Sequence, residues 1–256
     1  MRMKSIFRHE TILFLVVIVA LVILSIQAEQ FATIDNLLNQ GRFLTEVSLV
    51  ALIMTFVIVT GGIDLSVGSI LGLSAIVLGV AWKKLGLPLP LAILVALSVG
   101  TLAGLFNGII ITRFKVPPLI ATLATLALYR GLAEGISQAR SIRGYPEWFF
   151  ILGQGEFFGI PTQLWIVAFF TLLTGFILTY TTWGRATYAI GANETAARFS
   201  GIAVDKTKLF IYAASGFAAS LAAIIFVSRV STTRSDMGMG LEPVSYTHLR
   251  AHETVR

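Results

Sequence analysis

Apolar runs of about twenty residues, separated by short polar breaks, recur along the chain and restrict it more than any other feature. Seven segments stand out: about Thr11 to Ala28, Thr45 to Thr60, Ser66 to Trp82, Leu89 to Thr112, Pro117 to Leu132, Leu164 to Thr182 and Leu209 to Ser228. Each is long enough, or nearly so, to cross ~30 Å of hydrocarbon at ~1.5 Å per residue. Hydrocarbon offers no partner to backbone N–H and C=O groups, so a crossing segment must satisfy them internally, and runs this continuous lack the alternation of a barrel strand. The pattern predicts an all-α membrane protein, a polytopic transmembrane helix bundle.

Composition supports lipid as the solvent. Of 256 residues, 56% are hydrophobic and only 12% charged, against roughly a quarter charged in soluble domains. The net charge of +6 and pI near 9.8 raise the question of nucleic acid. Yet Lys and Arg stand singly or in pairs between the apolar runs, where they meet lipid headgroups, and form no basic stripe; the expected partner is membrane lipid and not nucleic acid. With no cysteine, disulfides, thiolate metal sites and cysteine nucleophiles are excluded. The basic N-terminus precedes an apolar stretch as in a signal peptide, but no small-residue cleavage site follows, so it reads as a retained first span.

Taking Arg2, Lys4 and Arg8 as cytoplasmic, seven alternating crossings place Arg113 and Lys115 in one short inner turn, and Arg185, Arg198, Lys206 and Lys208 in a longer inner connection. Lys83 and Lys84 fall outside and oppose that orientation. The outer connection from about Ala133 to Gln163 contains GYPEWFFILGQGEFFGIP, whose aromatic residues suit a short helix anchored at the headgroup level. After Glu242 the composition changes abruptly to PVSYTHLRAHETVR, so residues 243–256 read as a non-native tail and residues 1–242 as an incomplete transmembrane domain.

Several residues within this oily body carry chemistry. Gly61 to Gly68 reads GGIDLSVG. Gly61 and Gly62 allow a tight reversal, and Asp64 and Ser66 are both good helix N-caps. A carboxylate near hydrocarbon must lie at a boundary, line a polar cavity or accept nearby donors, so Asp64 belongs either to a capped turn or to a solute path. Gly100, Gly104 and Gly108 recur every fourth residue, which lets a second helix backbone approach closely. Asn107 beside them needs a polar partner or a water-filled cavity, as packing glue or as a solute contact. Pro117 and Pro118 fit a helix start, and Thr122 and Thr125 can bond backbone or a neighbouring helix. Tyr129 and Arg130 close that span, as interfacial anchors or solute ligands.

The inner connection from Thr181 to Lys208 is too polar to span. Asn193 can cap a short helix through Glu194, Thr195, Ala196, Ala197, Arg198 and Phe199, with Gly201 as its stop. Glu194 and Arg198, four apart, can pair on its surface. Such a helix is either a solvated face or a contact for a soluble partner with a groove.

GGIDLSVGS, LAGLFNGIIITRFKVPPLIATLATLALYRGL and GRATYAIGANETAARFSGI, in that order, resemble the permease subunits of ribose-type sugar importers of the ATP-binding-cassette class, within the branched-chain amino acid and sugar permease family. Rhamnose and autoinducer-2 permeases are nearest in character. The resemblance, from about Leu13 to Glu242, implies a bundle of about ten spans, of which about seven are present. It also implies a sugar or sugar-like solute, a second permease subunit, cytoplasmic ATPase subunits that bind ATP and Mg, and a periplasmic solute-binding protein at a bacterial inner membrane. The loop from Gly191 to Gly201 would be the element that couples to the ATPase.

No cofactor is expected in this chain. His9, His248 and His252 all lie outside the spans, and no phosphate-cradling G-x-x-x-x-G-K-[ST] loop occurs, so an enzyme is disfavoured. The stronger rival is an ion-coupled secondary transporter or channel, for which Asp64 is the one intramembrane acid.

Overall fold

A computed structural model describes residues 3–138 and 140–241, with side chains from residue 11 onward. The tail at 243–256 and Arg2 therefore lie outside the described residues, as do the side chains of Lys4 and Arg8. The chain divides into two compact units, Met1–Phe43 and Leu44–Arg256.

The first unit holds helix α1 (Met3–Gln27) and the opening turns of α2 (Ile34–Val59). Thr33 caps α2 by accepting from the Asn36 N–H, and the Asn36 amide returns to the Phe31 carbonyl, so the connection between the helices is closed by its own polar groups.

The second unit contains the rest of α2, then α3 (Val67–Lys83), α4 (Leu89–Arg113) and α5 (Pro118–Ser137). A connection follows with β1 (Ile142–Arg143), a 3-10 turn (Glu147–Phe150), α6 (Ile151–Gln154), β2 (Glu156–Phe157) and β3 (Ile160–Pro161). After these come α7 (Thr162–Tyr180), α8 (Thr182–Ala192), α9 (Glu194–Phe199), α10 (Val204–Val230) and β4 (Thr232–Thr233). Helices α2, α4, α5, α7 and α10 are long and apolar enough to cross a membrane. The other two expected spans are shorter apolar helices, Thr11–Gln27 within α1 and α3 itself. Proline sits in the first turn of both α4 and α5, where its missing N–H costs nothing.

Helix α3 is apolar all round and occupies the interior; only Val77, Val80, Trp82 and Lys83 escape burial. Around it, α4 and α10 meet backbone to backbone. A Cβ on Gly104 would overlap the Tyr212 carbonyl oxygen, and one on Gly216 would overlap that of Gly100. The four-residue glycine spacing of α4 thus serves the close approach expected of it, with α10 as the partner. At one end of this pair β1 and β4 join antiparallel, Ile142 opposite Thr233, and Nε of a half-buried Arg229 donates to Oε1 of the buried Glu46 at 2.9 Å, tying α10 to α2. The α4–α5 turn and α9 lie at the opposite end, joined through Asp205 of α10, which pairs with both Lys115 and Arg198.

Two sequence expectations change here. The aromatic connection does not simply rest at an interface: Phe149 is fully buried, its carbonyl accepts from Ser228 Oγ, and Gly153 is pressed against the Arg229 backbone. Trp148, Phe157 and Phe158 of the same stretch stay exposed. Nor do Tyr129 and Arg130 close a span, since α5 runs on to Ser137. Tyr129 is buried, and Arg130 Nη1 donates to the carbonyls of Ser235 and Met237, which follow β4. Their polar ends have protein partners, so they need not reach for an interface.

Candidate functional site: a polar break inside the bundle and an ionic cap at its end

Residues 60–66 leave the helical path between α2 and α3. Gly61 adopts a positive φ of 72°, which non-glycine residues rarely adopt. The Gly62 N–H donates back to Val57 O at 2.8 Å, and a Cβ there would press on the Tyr212 hydroxyl. Glycines 61 and 62 thus do make the turn. The next residues bring Asp64 into the bundle, where it is fully buried.

Asp64 Oδ1 accepts from the Ser66 N–H at 3.0 Å and from Ser66 Oγ at 2.6 Å, while Oδ2 accepts from Ser215 Oγ of α10 at 2.9 Å. Ser66 Oγ also accepts from Asn107 Nδ2 at 2.7 Å. The Tyr129 hydroxyl donates to the Ala103 carbonyl at 2.8 Å and lies 3.2 Å from Asn107 Oδ1. Ser66 occupies the N-cap position of α3, but its side chain makes no capping bond; Asp64 instead holds the Ser66 backbone N–H just before the helix begins. The Ile63 carbonyl receives Thr122 Oγ1 and the Tyr212 hydroxyl, each at 3.4 Å. That length is well beyond the usual O–H···O optimum, so both bonds are weak, and Thr122 bonds better to Pro118 O at 2.8 Å.

This break lies deep in the bundle. Ser215 is eleven residues into α10 from Val204, which at ~1.5 Å per residue puts it ~16 Å from that helix end. Asn107, six residues before the end of α4, is ~9 Å from its own. Irregular backbone at such depth persists only where protein or a polar cavity satisfies it, and here four helices supply the groups. All the sequence-flagged residues of this set, Gly62, Asp64, Ser66, Asn107, Thr122 and Tyr129, come together. Ser215 and Tyr212 were missed, although a serine beside glycine in an apolar run is a readable sign of interhelical bonding.

At the end of the bundle, Asn193 Oδ1 accepts from Ala196 N at 2.9 Å and caps α9; Gly201, with a positive φ of 84°, follows its end. Glu194 pairs with Arg198 at 3.0 Å and also with Lys208. Arg198 reaches Asp205 at 2.8 Å, and Asp205 reaches Lys115 at 3.0 Å. The Lys208 bond, with help from Arg198, holds the Glu194 carboxyl below its ordinary range, and bonding to Asp205 and Glu194 raises Arg198 further. Ala197 is buried with Ile190 and Val204, whereas Thr195, Ala196 and Phe199 face outward. Gly191 is pressed against the last residue of α2, where a Cβ would overlap the Val59 carbonyl oxygen. The connection holds two helices where the sequence predicts one, and Asp205 joins the charged set beyond the expected residues. An eleven-residue helix begun by Thr181, which accepts from Gly184 N, was hidden by its weakly apolar TWGRATYAIGA composition.

Among the described residues no group of three or more His, Asp and Glu is placed to hold a metal. A helix bundle with five helices long and apolar enough to cross a membrane, a satisfied polar break at depth and a charged connection at one end defines a polytopic membrane protein. Residues 34–247 match the family described as branched-chain amino acid transport system / permease component. The chain is 38% identical to the ribose import permease protein of Haemophilus influenzae, over 90% of this chain and 72% of that one. It is 39% identical to the ribose import permease protein of Bacillus subtilis, over 90% and 71%. With the autoinducer 2 import system permease protein of Enterobacter sp. it shares 38% identity, over 76% and 56%. No solved structure matches significantly. The chain belongs to the branched-chain amino acid transport system / permease component family, and it is a transport permease, not the ion-coupled transporter or channel that was its rival.

Proposed function

We propose that this permease forms the path for a sugar or sugar-like solute in an importer of the bacterial inner membrane, with α9 docking into a groove of a cytoplasmic ATPase subunit. The observation that carries the coupling role is the construction of α9: a six-residue helix capped by Asn193 and clamped by ion pairs to α10, whose Asp205 also holds Lys115 of the α4–α5 turn, with Thr195, Ala196 and Phe199 turned outward. Its charges are spent internally, which leaves a small, stiff apolar knob suited to a groove. Gly191, Glu194, Ala197, Arg198 and Gly201 shape and hold the knob, and Asn193 fixes its start.

On this reading the α9 end faces the cytoplasm, as does the N-terminus. ATP and Mg reside on the partner ATPase subunits, a second permease subunit completes the path, and a periplasmic protein delivers the solute. The sugar assignment leans on the names of the ribose permeases and on the hydroxyl, amide and carboxylate groups of Asp64, Ser66, Asn107, Thr122 and Tyr129. Asp64, Ser66, Asn107 and Tyr129 bond to one another in this structure, Thr122 bonds to backbone carbonyls beside them, and all would exchange partners as a polyol passes.

Co-purification of the ATPase subunit tests the coupling role. Gly201→Val, forced into a backbone region β-branched residues avoid, and Glu194→Lys, which reverses a charge facing Lys208, are both expected to abolish co-purification and transport. Retention of both functions by both variants would refute it.

A further inference from the structure

Apart from Gly191, helix α8 lies outside both the polar break and the docking knob, yet it touches the elements that carry both. Asn193 ends α8 and caps α9, so a single residue separates the two helices and no slack linker lies between them. At that same end, the Gly191 backbone abuts the Val59 carbonyl, the last residue of α2. At the other end, the Trp183 ring lies 5.4 Å from Phe56 of α2 and 5.0 Å from Phe210 of α10, centre to centre. Helix α8 is thus wedged across the ends of two helices. Beyond Val59 the chain turns at Gly61 and enters the break that holds Asp64; α10 carries Ser215 and Tyr212, which close that break from the other side.

We propose that α8 is a strut, in which Gly191 and Trp183 are positioning residues that pass displacement of α9 to the ends of α2 and α10 and so to the Asp64 break. The proposal rests on the reading of α9 as the ATPase-docking element. The physical reason is contact stiffness. Backbone seated on backbone at Gly191 leaves no side chain to flex, and packed interiors transmit displacement instead of absorbing it. A movement of α9 toward a closing ATPase must therefore push on α2 within one turn of Gly61. A wire of packed side chains becomes a coupling route only when both of its ends respond, and that response is measurable.

The chain contains no cysteine, so Leu65→Cys, in the half-buried stretch beside Asp64, introduces the sole thiol. Membranes holding this chain co-expressed with its ATPase subunit are labelled with a maleimide, with and without ATP. The labelling rate of the Leu65→Cys protein should change about fivefold with ATP, the scale of ordinary coupling between sites. Adding Trp183→Ala should erase that change while the ATPase subunit still co-purifies, and Trp183→Phe, which keeps an aromatic ring against Phe56 and Phe210, should restore it. An ATP response that survives Trp183→Ala would overturn the strut. So would loss of ATPase binding in step with loss of the response, because α8 would then only shape the docking face. If the ATPase binds but Leu65→Cys is indifferent to ATP, transmission to the break is wrong while docking stands. If no ATPase co-purifies with the unsubstituted chain, the docking reading fails first and takes the strut with it.

Discussion

The polar break around Asp64 and the ionic cap around Glu194 are built from similar numbers of polar side chains, yet they obey opposite energetics. The break is sealed: Asp64, Ser66, Asn107 and Ser215 are all fully buried. Its bonds connect α3, α4, α5 and α10. A lost partner there leaves a donor with no water to replace it. The cap is open, with Glu194, Arg198 and Asp205 each exposing nearly half of the side chain. Water and salt can substitute for any one of its bonds, and such pairs contribute between nothing and about 1 kcal/mol each. The interior set therefore fixes where helices sit, whereas the surface set fixes only how stiffly one short helix is presented.

The sharpest way to break this contrast is Asp64→Ala. It strands the Ser66 N–H, the Ser66 hydroxyl and the Ser215 hydroxyl, and with ~1–3 kcal/mol for each buried donor left unpaired the loss should exceed ~3 kcal/mol. Asp64→Asn keeps the shape and one acceptor oxygen, so it should recover most of that loss. Thermal unfolding of the purified chain in detergent reads both; an Asp64→Ala midpoint equal to that of the parent chain would show that the break is not held by its carboxylate.

The next effect in size concerns the packing that frames the break. Gly104→Ala drives a methyl group into the Tyr212 carbonyl and should cost ~1–3 kcal/mol as α4 and α10 are forced apart. Gly135→Ala has nothing within 4 Å of the added carbon and should be neutral or mildly stabilising through better helix propensity. Equal midpoints for the two variants would mean that α4 and α10 do not pack through their glycines.

Much of this was legible in the chain. Apolar runs locate helices because hydrocarbon leaves backbone no other choice, and the two glycines before Asp64 and the asparagine before Glu194 announce a turn and a cap through local chemistry alone. Partnership was not legible. That Asn107 bonds Ser66, that Ser215 reaches Asp64, or that Arg130 turns inward to Ser235 depends on which helices adjoin, and a single periodicity does not encode this. Phe149 misled for the same reason: an aromatic residue at a span end has the same signature whether it meets headgroups or plugs the bundle. Helix α8 escaped because it is short and weakly apolar; its Gly191 marks a contact, since it admits the α2 carbonyl, and contacts are what the sequence alone does not display.

The smallest effect is on the open side of the contrast. Glu194 is held below its ordinary value of 4.5, chiefly by the Lys208 bond. A carboxylate whose folded value is depressed adds stability that is complete above the unfolded value and vanishes as pH falls through the folded one. Protection of the α9 amides against hydrogen exchange, corrected for intrinsic rates, should therefore be insensitive to this group from neutral pH down to about 5, and should fall only below 4.5. Because the side chain is nearly half exposed, screening limits the effect: Glu194→Gln should cost under about 1 kcal/mol at neutral pH, and 0.5 M salt should narrow its difference from the parent chain. Bulk unfolding should not register it, since α9 opens locally without the helices that hold Asp64. If Glu194→Gln instead lowered the global midpoint as far as Asp64→Ala does, the cap would be part of the bundle's foundation, and the division between a sealed interior lock and a solvated presenting surface would be wrong.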